Sequence, residues 1–335
     1  MSKKFRQNSK NLQVLQILAT TFLMLIFISL GHAQDIFPNK PIKLITLTPP
    51  GGSLDILART IAQGLTDQMK QPVLVDNKSG AGGNLGASLV AKSPSDGYTI
   101  GMVTISTHGI NPSLYGAKMP FNAIKDFAPI TLAAELKNIL VVNSSLPIRN
   151  VQELVAYAKA NPGKLSFGSA GAGTSQHLAG EMLKAFAQID VVHVPYKGLA
   201  QAVPDLISGQ IQFMFSLIPD SIAHIKSGKL RAIGIASSKR SSILPELIPI
   251  SEQGYPNFEV VGWFGVVAPA STPKDIVLRF NKEITIALGH PEVRERLANM
   301  GMEVNTNSPE QFANFISSEI TKWAPFVKNS GATAE

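Results

Sequence analysis

The chain has 335 residues, no cysteine, and 30 Lys plus Arg against 23 Asp plus Glu, a formal net charge of +7. Without cysteine there is no disulfide framework, no thiolate-held zinc or iron–sulfur centre, no cysteine nucleophile and no thioether lipid anchor. Four of the basic residues and none of the acidic ones fall in the first 33 positions, so the remainder carries 26 against 23, or +3. With no basic run or stripe, that gives no case for nucleic acid as a partner.

The first four basic residues, Lys3, Lys4, Arg6 and Lys10, precede an apolar run that is purest from Ile17 to Leu30. Gly31-His32-Ala33 then places small residues at the two positions a signal peptidase inspects. Residues 1–33 are therefore expected to be a cleavable export signal. The competing reading is a retained membrane anchor, against which Gln13 and Gln16 shorten the apolar stretch. Export of a chain without crosslinks points to a bacterial periplasm. About 300 mature residues suggest one large domain or two medium ones.

Strand and helix signals alternate from there on. Ile42 to Thr48 reads as a strand, followed by Pro-Pro-Gly-Gly and a helix capped by Ser53 with Leu54, Leu57, Ile61 and Leu65 on one face. Val73 to Val75 is the next strand, Asn84 to Ala91 a helix, and Tyr98 to Thr104 a strand. The rhythm resumes with a strand at Ile139 to Val142, a helix from Val151, a strand at Leu165 to Ser169 and a helix from Thr174. Short strands follow at Val191 to Val194, Gln212 to Phe215 and Leu230 to Ala236, with helices between. Such alternation predicts an α/β fold of mainly parallel sheets flanked by helices. After a strand at Val260 to Val267, helices begin near Pro273, Pro291 and Pro309; Ser308-Pro309-Glu310-Gln311 has the order of a capping box. These last helices have few strands beside them and are expected to complete the first lobe. The predicted division is residues 34–135 plus 258–335 for one lobe and 136–257 for the other.

Three glycine-rich turns stand before predicted helices: Pro49-Pro50-Gly51-Gly52-Ser53, Gly80-Ala81-Gly82-Gly83-Asn84 and Gly171-Ala172-Gly173-Thr174-Ser175. The first turn of a helix has unpaired N–H groups at the positive end of its dipole, and glycine lets a ligand reach them. A carboxylate or phosphate can be held there without Lys or Arg, with Ser53, Thr174 and Ser175 adding hydroxyls. Each turn alone reads equally well as a tight strand-to-helix connection; two of them in different lobes strengthen the binding reading.

Nucleotide motifs do not fit. Gly86 comes one position late for a dinucleotide fingerprint, Gly171-Ala172-Gly173 lacks a third glycine, and no Walker lysine follows. No cofactor is expected. Nor is there a Gly-x-Ser-x-Gly elbow or a His-Glu-x-x-His zinc motif. His177 and Glu181 are four apart, a spacing that serves a helix-surface contact more often than a metal. His108, His193 and His224 are scattered and read as structural histidines or hydrogen-bond donors. Phe213 to Phe215 reads as a buried strand.

Taken together, these segments resemble the Bug-type receptors of tripartite tricarboxylate transporters over essentially the whole mature length. The resemblance rests on Pro41 to Ile45, Pro50 to Arg59, Val75 to Asn84, Asp96 to Thr99, Asn111 to Tyr115 and Asp126 to Pro129. It continues through Gly173 to Glu181, Val192 to Gly198, Gly262 to Gly265 and Pro269 to Pro273. It implies a two-lobe, Venus-flytrap periplasmic-binding-protein fold that closes on a small organic carboxylate and delivers it to membrane permease subunits. It further implies a grip made of backbone N–H groups, hydroxyls and waters, matching Pro50, Gly51, Gly52, Ser53 and Leu54 on one lobe. On the other lobe the matching residues are Gly173, Thr174, Ser175, Gln176 and His177, with His108 and the Tyr196-Lys197-Gly198 turn near the cleft. One departure stands out: relatives commonly carry Asp where this chain has Ser216, which implies that amino acids are disfavoured. The expected receptor is a monomer and not an enzyme. A periplasmic sensor subunit or, with no visible nucleophile and base, a hydrolase are the alternatives.

Overall fold

The computed structural model describes residues 37–330 and 332–333, and the expected export signal lies outside the described residues. Contacts divide the chain into two units, Met1–Asn39 and Lys40–Glu335, the second of which holds all the strands and helices named below. No helix among the described residues is long and apolar enough to cross a membrane.

The unit opens with strand β1 (Ile42–Thr46), helix α1 (Ser53–Met69) and strand β2 (Val73–Asn77). The α1 face made by Leu54, Leu57, Ile61 and Leu65 is buried, as its spacing predicts. The helix stops where Lys70 turns left-handed (φ 55°) and its N–H reaches back to the Thr66 carbonyl. β2 pairs parallel with β1, and after α2 (Asn84–Ala91) strand β3 (Thr99–Thr104) pairs parallel on the other side of β1. Helix α3 (Asn111–Tyr115) leads to strand β4 (Phe127–Asn143).

The second half repeats the pattern. It comprises α4 (Val151–Ala160), β5 (Leu165–Ser169), α5 (Ser175–Ala187), β6 (Val191–Pro195), α6 (Leu199–Ser208) and β7 (Phe213–Leu217). Then come α7 (Ile218–Lys226), β8 (Leu230–Ile235), β9 (Val261–Pro269), α8 (Lys274–Gly289), α9 (Pro291–Ala298), β10 (Met302–Val304) and α10 (Pro309–Ser330). β5 pairs parallel with β6 and with β7. The antiparallel pairs gather on β4 and β9: β9 joins β3 to β4, and β4 joins β7, β8 and β10. The strand path is β2-β1-β3-β9-β4-β7-β5-β6.

β4 is the seam of this arrangement. Its stretch from Phe127 to Lys137 pairs with β9, and from Asn138 to Asn143 the same strand pairs with β7 and β8. The sequence predicts only the Ile139 to Val142 portion, because Pro129, Glu135 and Lys137 interrupt the apolar pattern upstream. Two register shifts, between Pro129 and Thr131 and between Leu132 and Ala134, bend the ladder so that one strand serves two sheets. At the changeover, the Asn138 carbonyl accepts from the Ala236 N–H (2.8 Å) and its side chain donates to the Val260 carbonyl (2.9 Å). The returning chain is thereby fastened beside β4.

The C-terminal helices pack on the β9 side of the seam. The capping box forms: Ser308 N–H donates to Gln311 Oε1 at 3.0 Å and Gln311 N–H to Ser308 Oγ at 3.2 Å. Inside α10, Glu319 is buried because both indole N–H groups, from Trp263 (2.8 Å) and Trp323 (2.9 Å), donate to one of its carboxylate oxygens. Glu319→Ala would orphan both donors in a closed core. The expected loss is about 2–4 kcal/mol of unfolding free energy. Urea titration followed by fluorescence checks it, since these are the chain's 2 tryptophans.

Candidate functional site

The first glycine turn is held by a carboxylate of its own helix. Gly51 N–H donates to Asp55 Oδ2 (3.0 Å), which also accepts from Arg59 Nε (2.9 Å), while Asn77 Nδ2 donates to Asp55 Oδ1 (2.8 Å). Burial works to raise the Asp55 pKa, but the hydrogen bonds from Arg59, Asn77 and the Gly51 N–H together hold it below the usual carboxylate value. Gly51 needs its glycine: φ is +91°. The N-cap of α1 is Gly52 and not Ser53, which is the first helical residue. The Ser53 hydroxyl is therefore free to turn outward, and it donates to Asp220 Oδ2 at 2.8 Å while the Ser53 N–H donates to Asp220 Oδ1 at 3.0 Å.

The third glycine turn is held differently. Thr174 caps α5, accepting from the His177 N–H, and its hydroxyl donates to the Gly171 carbonyl at 2.7 Å. The Gly173 N–H donates to His177 Nδ1 at 3.1 Å, so the ring proton of a neutral His177 sits on Nε2. His177 stacks on His193 with centroids 4.1 Å apart, and His193 Nε2 pairs with Ser169 Oγ at 2.7 Å. Burial depresses both histidines, His177 to about 4 and His193 to about 3, with Lys184 adding to each and His177 to His193. They are neutral struts under the turn.

Both turns open onto one cavity of about 710 Å³, open mouth included. On the α1 side it is lined by Gly52, Ser53 and Leu54, and on the α5 side by Thr174, Ser175 and Gln176. Lys197 and Gly198 complete the wall beside the third turn, and Gly82 and Gly83 bring the remaining glycine turn into it. The helix ends therefore present the first-turn N–H groups of Leu54, Ser175 and Gln176 from two directions. Gln176 also reaches Asn138 Oδ1 (3.3 Å), which ties this wall to the β4 seam. The turns approach so closely that added methyl groups have no room. A Cβ on Gly82 would stand 2.3 Å from the Ala172 carbonyl oxygen, and one on Gly173 would stand 2.0 Å from Asn111 Oδ1.

Several expected residues stand elsewhere. Pro50 and Gly51 are exposed outside the cavity, whereas Gly173 and His177 are buried behind it and support the turn. Tyr196 faces the adjoining groove beside Gly171 and donates to Asp205 Oδ2 at 2.6 Å; burial, then Asp205, pushes its pKa up to about 12. His108 does not line the cavity. It follows Ser106, which does, by about half a helical turn and so points inward between Phe121 and Phe127, fully buried, with burial lowering its pKa to about 3. Ser216 is also turned away, fully buried and bonded to Ser221 Oγ at 2.7 Å, because side chains alternate along β7 and it is Leu217 that faces the cavity.

An acidic group stands four residues after Ser216. Asp220, in the first turn of α7, lines the cavity. Crowding by protein atoms raises its pKa, against the lowering effect of the Ser53 hydrogen bonds. The pattern hid it, because Leu217 to Ser221 has no period and its helix starts at a proline. Thr48 is a second polar group the sequence did not single out; its hydroxyl is buried at the cavity wall and has no partner among the described residues.

Comparison with known proteins bears on this arrangement. The family model described as the tripartite tricarboxylate transporter family receptor matches residues 57–332. A UPF0065 protein of the tcbD–tcbE intergenic region in Pseudomonas sp. strain P51 is 40% identical over 294 residues, covering 88% of this chain and 87% of its own. Among solved structures, Rpa4515 of Rhodopseudomonas palustris with adipate superposes with a TM-score of 0.85 at 33% identity, covering 89% of this chain and 99% of that one. MatC from Rhodopseudomonas palustris with bound malate gives 0.83 at 30% identity, covering 87% and 100%.

The buried histidines make stability depend on pH. A histidine whose folded pKa lies below its unfolded value of about 6.5 costs stability as pH falls through that value, because the unfolded chain takes up the proton first. For His108 the loss runs from about pH 6.5 down to about 3. His108→Phe, which suits the Phe121 and Phe127 surroundings, should flatten the fall by one proton, about 1.4 kcal/mol per pH unit in mid-range. Urea midpoints measured between pH 4.5 and 7.5 decide it, and parallel curves would contradict it.

Proposed function

The chain belongs to the tripartite tricarboxylate transporter receptor family, and from that premise we propose that it captures a small carboxylate-bearing solute in the cavity between its glycine turns. The observation that carries this reading is the convergence of two helix N-termini, α1 and α5, on one apolar-walled space. Each has first-turn N–H groups without an intrahelical acceptor, that of Ser53 at α1 being given to Asp220, and such groups hold an anion without needing a salt bridge. The adipate and malate bound by the two structural relatives are carboxylates, which is the chemistry such ends suit.

The proposed binding residues are Gly52 to Leu54 at the first glycine turn, Gly82 and Gly83 at the second, Thr174 to Gln176 at the third, and Lys197 with Gly198 beside it, while Gly51, Gly173 and His177 hold the turns in shape. The proposed mechanism is closure of two lobes, 34–135 with 258–335 against 136–257, about the strands that pass near Asn138 and Val260. Solute contacts bias that equilibrium toward the closed form. A closed, loaded receptor in the periplasm then docks on membrane permease subunits. Binding and closure without chemistry are all that this role requires.

A thermal-shift screen with mono-, di- and tricarboxylates tests the reading. A solute that binds only the folded state adds about 2.7 kcal/mol at a hundred times its dissociation constant, so at least one carboxylate should raise the midpoint by several degrees. No shift with any of them at millimolar concentration sinks it. A Cβ at Gly52 would sit 3.5 Å from Asp220 Oδ1, inside the cavity. Gly52→Val should therefore weaken binding at least tenfold, whereas Lys159→Ala, an exposed change on α4, should leave affinity unaltered by calorimetric titration.

A further inference from the structure

We propose that Asp220 makes the cavity a site for one carboxylate: it fills the anion position at the start of α1 from within the chain, so the solute is a monocarboxylate with an apolar body, anchored at the start of α5. This rests on the reading of the cavity as a carboxylate site.

The two helix ends that face the cavity are not equivalent. At α1, the Ser53 N–H and hydroxyl are both given to Asp220, at 3.0 and 2.8 Å, the pair of contacts a solute carboxylate would otherwise make there. The partners are 167 positions apart in sequence, so this is tertiary recognition of one element by another. Asp220 has no ion-pair partner among the described residues; its carboxylate faces the helix end and the Ser53 donors. At α5 the Thr174 hydroxyl is turned onto the Gly171 carbonyl and the His177 N–H is capped, which leaves the first-turn N–H groups of Ser175 and Gln176, two residues that line the cavity, without a capping partner.

Charge balance leads to the same place. The charged side chains lining the cavity are Asp220 and Lys197. A helix N-terminus is equivalent to roughly half a positive charge, so with the two helix ends the lining carries about one positive charge in all, a match for one carboxylate. A first carboxylate meets the open α5 end. A second, brought to the α1 end, meets the Asp220 carboxylate at close range in a space walled by Leu47, Leu54, Ile105, Leu199, Leu217 and Phe264. Those walls suit the body of a monoacid.

Calorimetric titration of the full mature protein with pairs of acids that share a body tests this: butyrate and succinate, hexanoate and adipate, benzoate and terephthalate. In the wild type, the monoacid of the best-binding pair should win by at least about tenfold. In Asp220→Asn, which keeps the shape and removes the charge, the diacid should gain about tenfold on its monoacid. A diacid that equals or beats its monoacid in the wild type overturns the proposal and leaves the carboxylate receptor standing; this needs no variant and does not depend on the variant folding. A ratio unchanged in a folded Asp220→Asn protein also overturns it. Tighter binding of 6-aminohexanoate than of hexanoate overturns it too, since Asp220 would then be receiving a cation from the solute. If no acid of any pair binds, both this proposal and the receptor reading fall.

Discussion

One strand divides its hydrogen bonds between two sheets, and the rest of the molecule is arranged around that division. β4 spends its first eleven residues, Phe127 to Lys137, on β9 and its remainder on β7 and β8. Because its backbone N–H and C=O groups must be paired on both sides of the changeover, the two sheets cannot separate without breaking a ladder. Asn138 sits at the changeover and binds the returning chain at Ala236 and Val260. The helices that follow β1 and β5 then start from strand ends on opposite sides of one space, the place where α/β folds bind ligands. The glycine turns complete the approach by carrying no side chain where backbone meets backbone.

Charge in this cavity is local. The chain beyond its first 33 residues has little net charge, and the histidines nearest the α5 turn are neutral because burial disfavours their protonated forms. That neutrality is useful structurally. A neutral His177 accepts from the Gly173 N–H, which an imidazolium does not do, so the turn keeps its shape only while the ring is unprotonated. At the opposite end of the cavity the Asp220 carboxylate meets the start of α1 through the Ser53 N–H and hydroxyl. One helix end thus faces a carboxylate of the protein itself, and the other is braced by neutral histidines.

Features that depend on near neighbours in the chain were legible in the sequence. The α1 stripe, the start of α5 beside Thr174 and the Ser308–Gln311 capping box all follow from residues within a few positions of one another. So do the glycine turns, since a left-handed φ such as that of Gly51 or Gly173 is a property of the residue itself. The first part of β4 was not legible, because a strand with Pro129 and two charged residues has neither a clean alternation nor a continuous apolar run. Ser53 was read as a cap and is the first helical residue, a shift of one position that frees its hydroxyl for Asp220.

By itself the sequence determined the alternation of strands and helices, the three anion-capable turns, the absence of cysteine chemistry and the family to which these motifs point. Each is encoded in short-range patterns of residue type. Only the tertiary structure decided which side chains face the cavity. His108 is turned inward by half a helical turn, Ser216 is turned away by the strand's two-residue period, and Asp220 is delivered to Ser53 across 167 residues. Periodicity gives the spacing along a chain, whereas facing and distant partnership arise when elements pack, and the lining of this cavity rests on those.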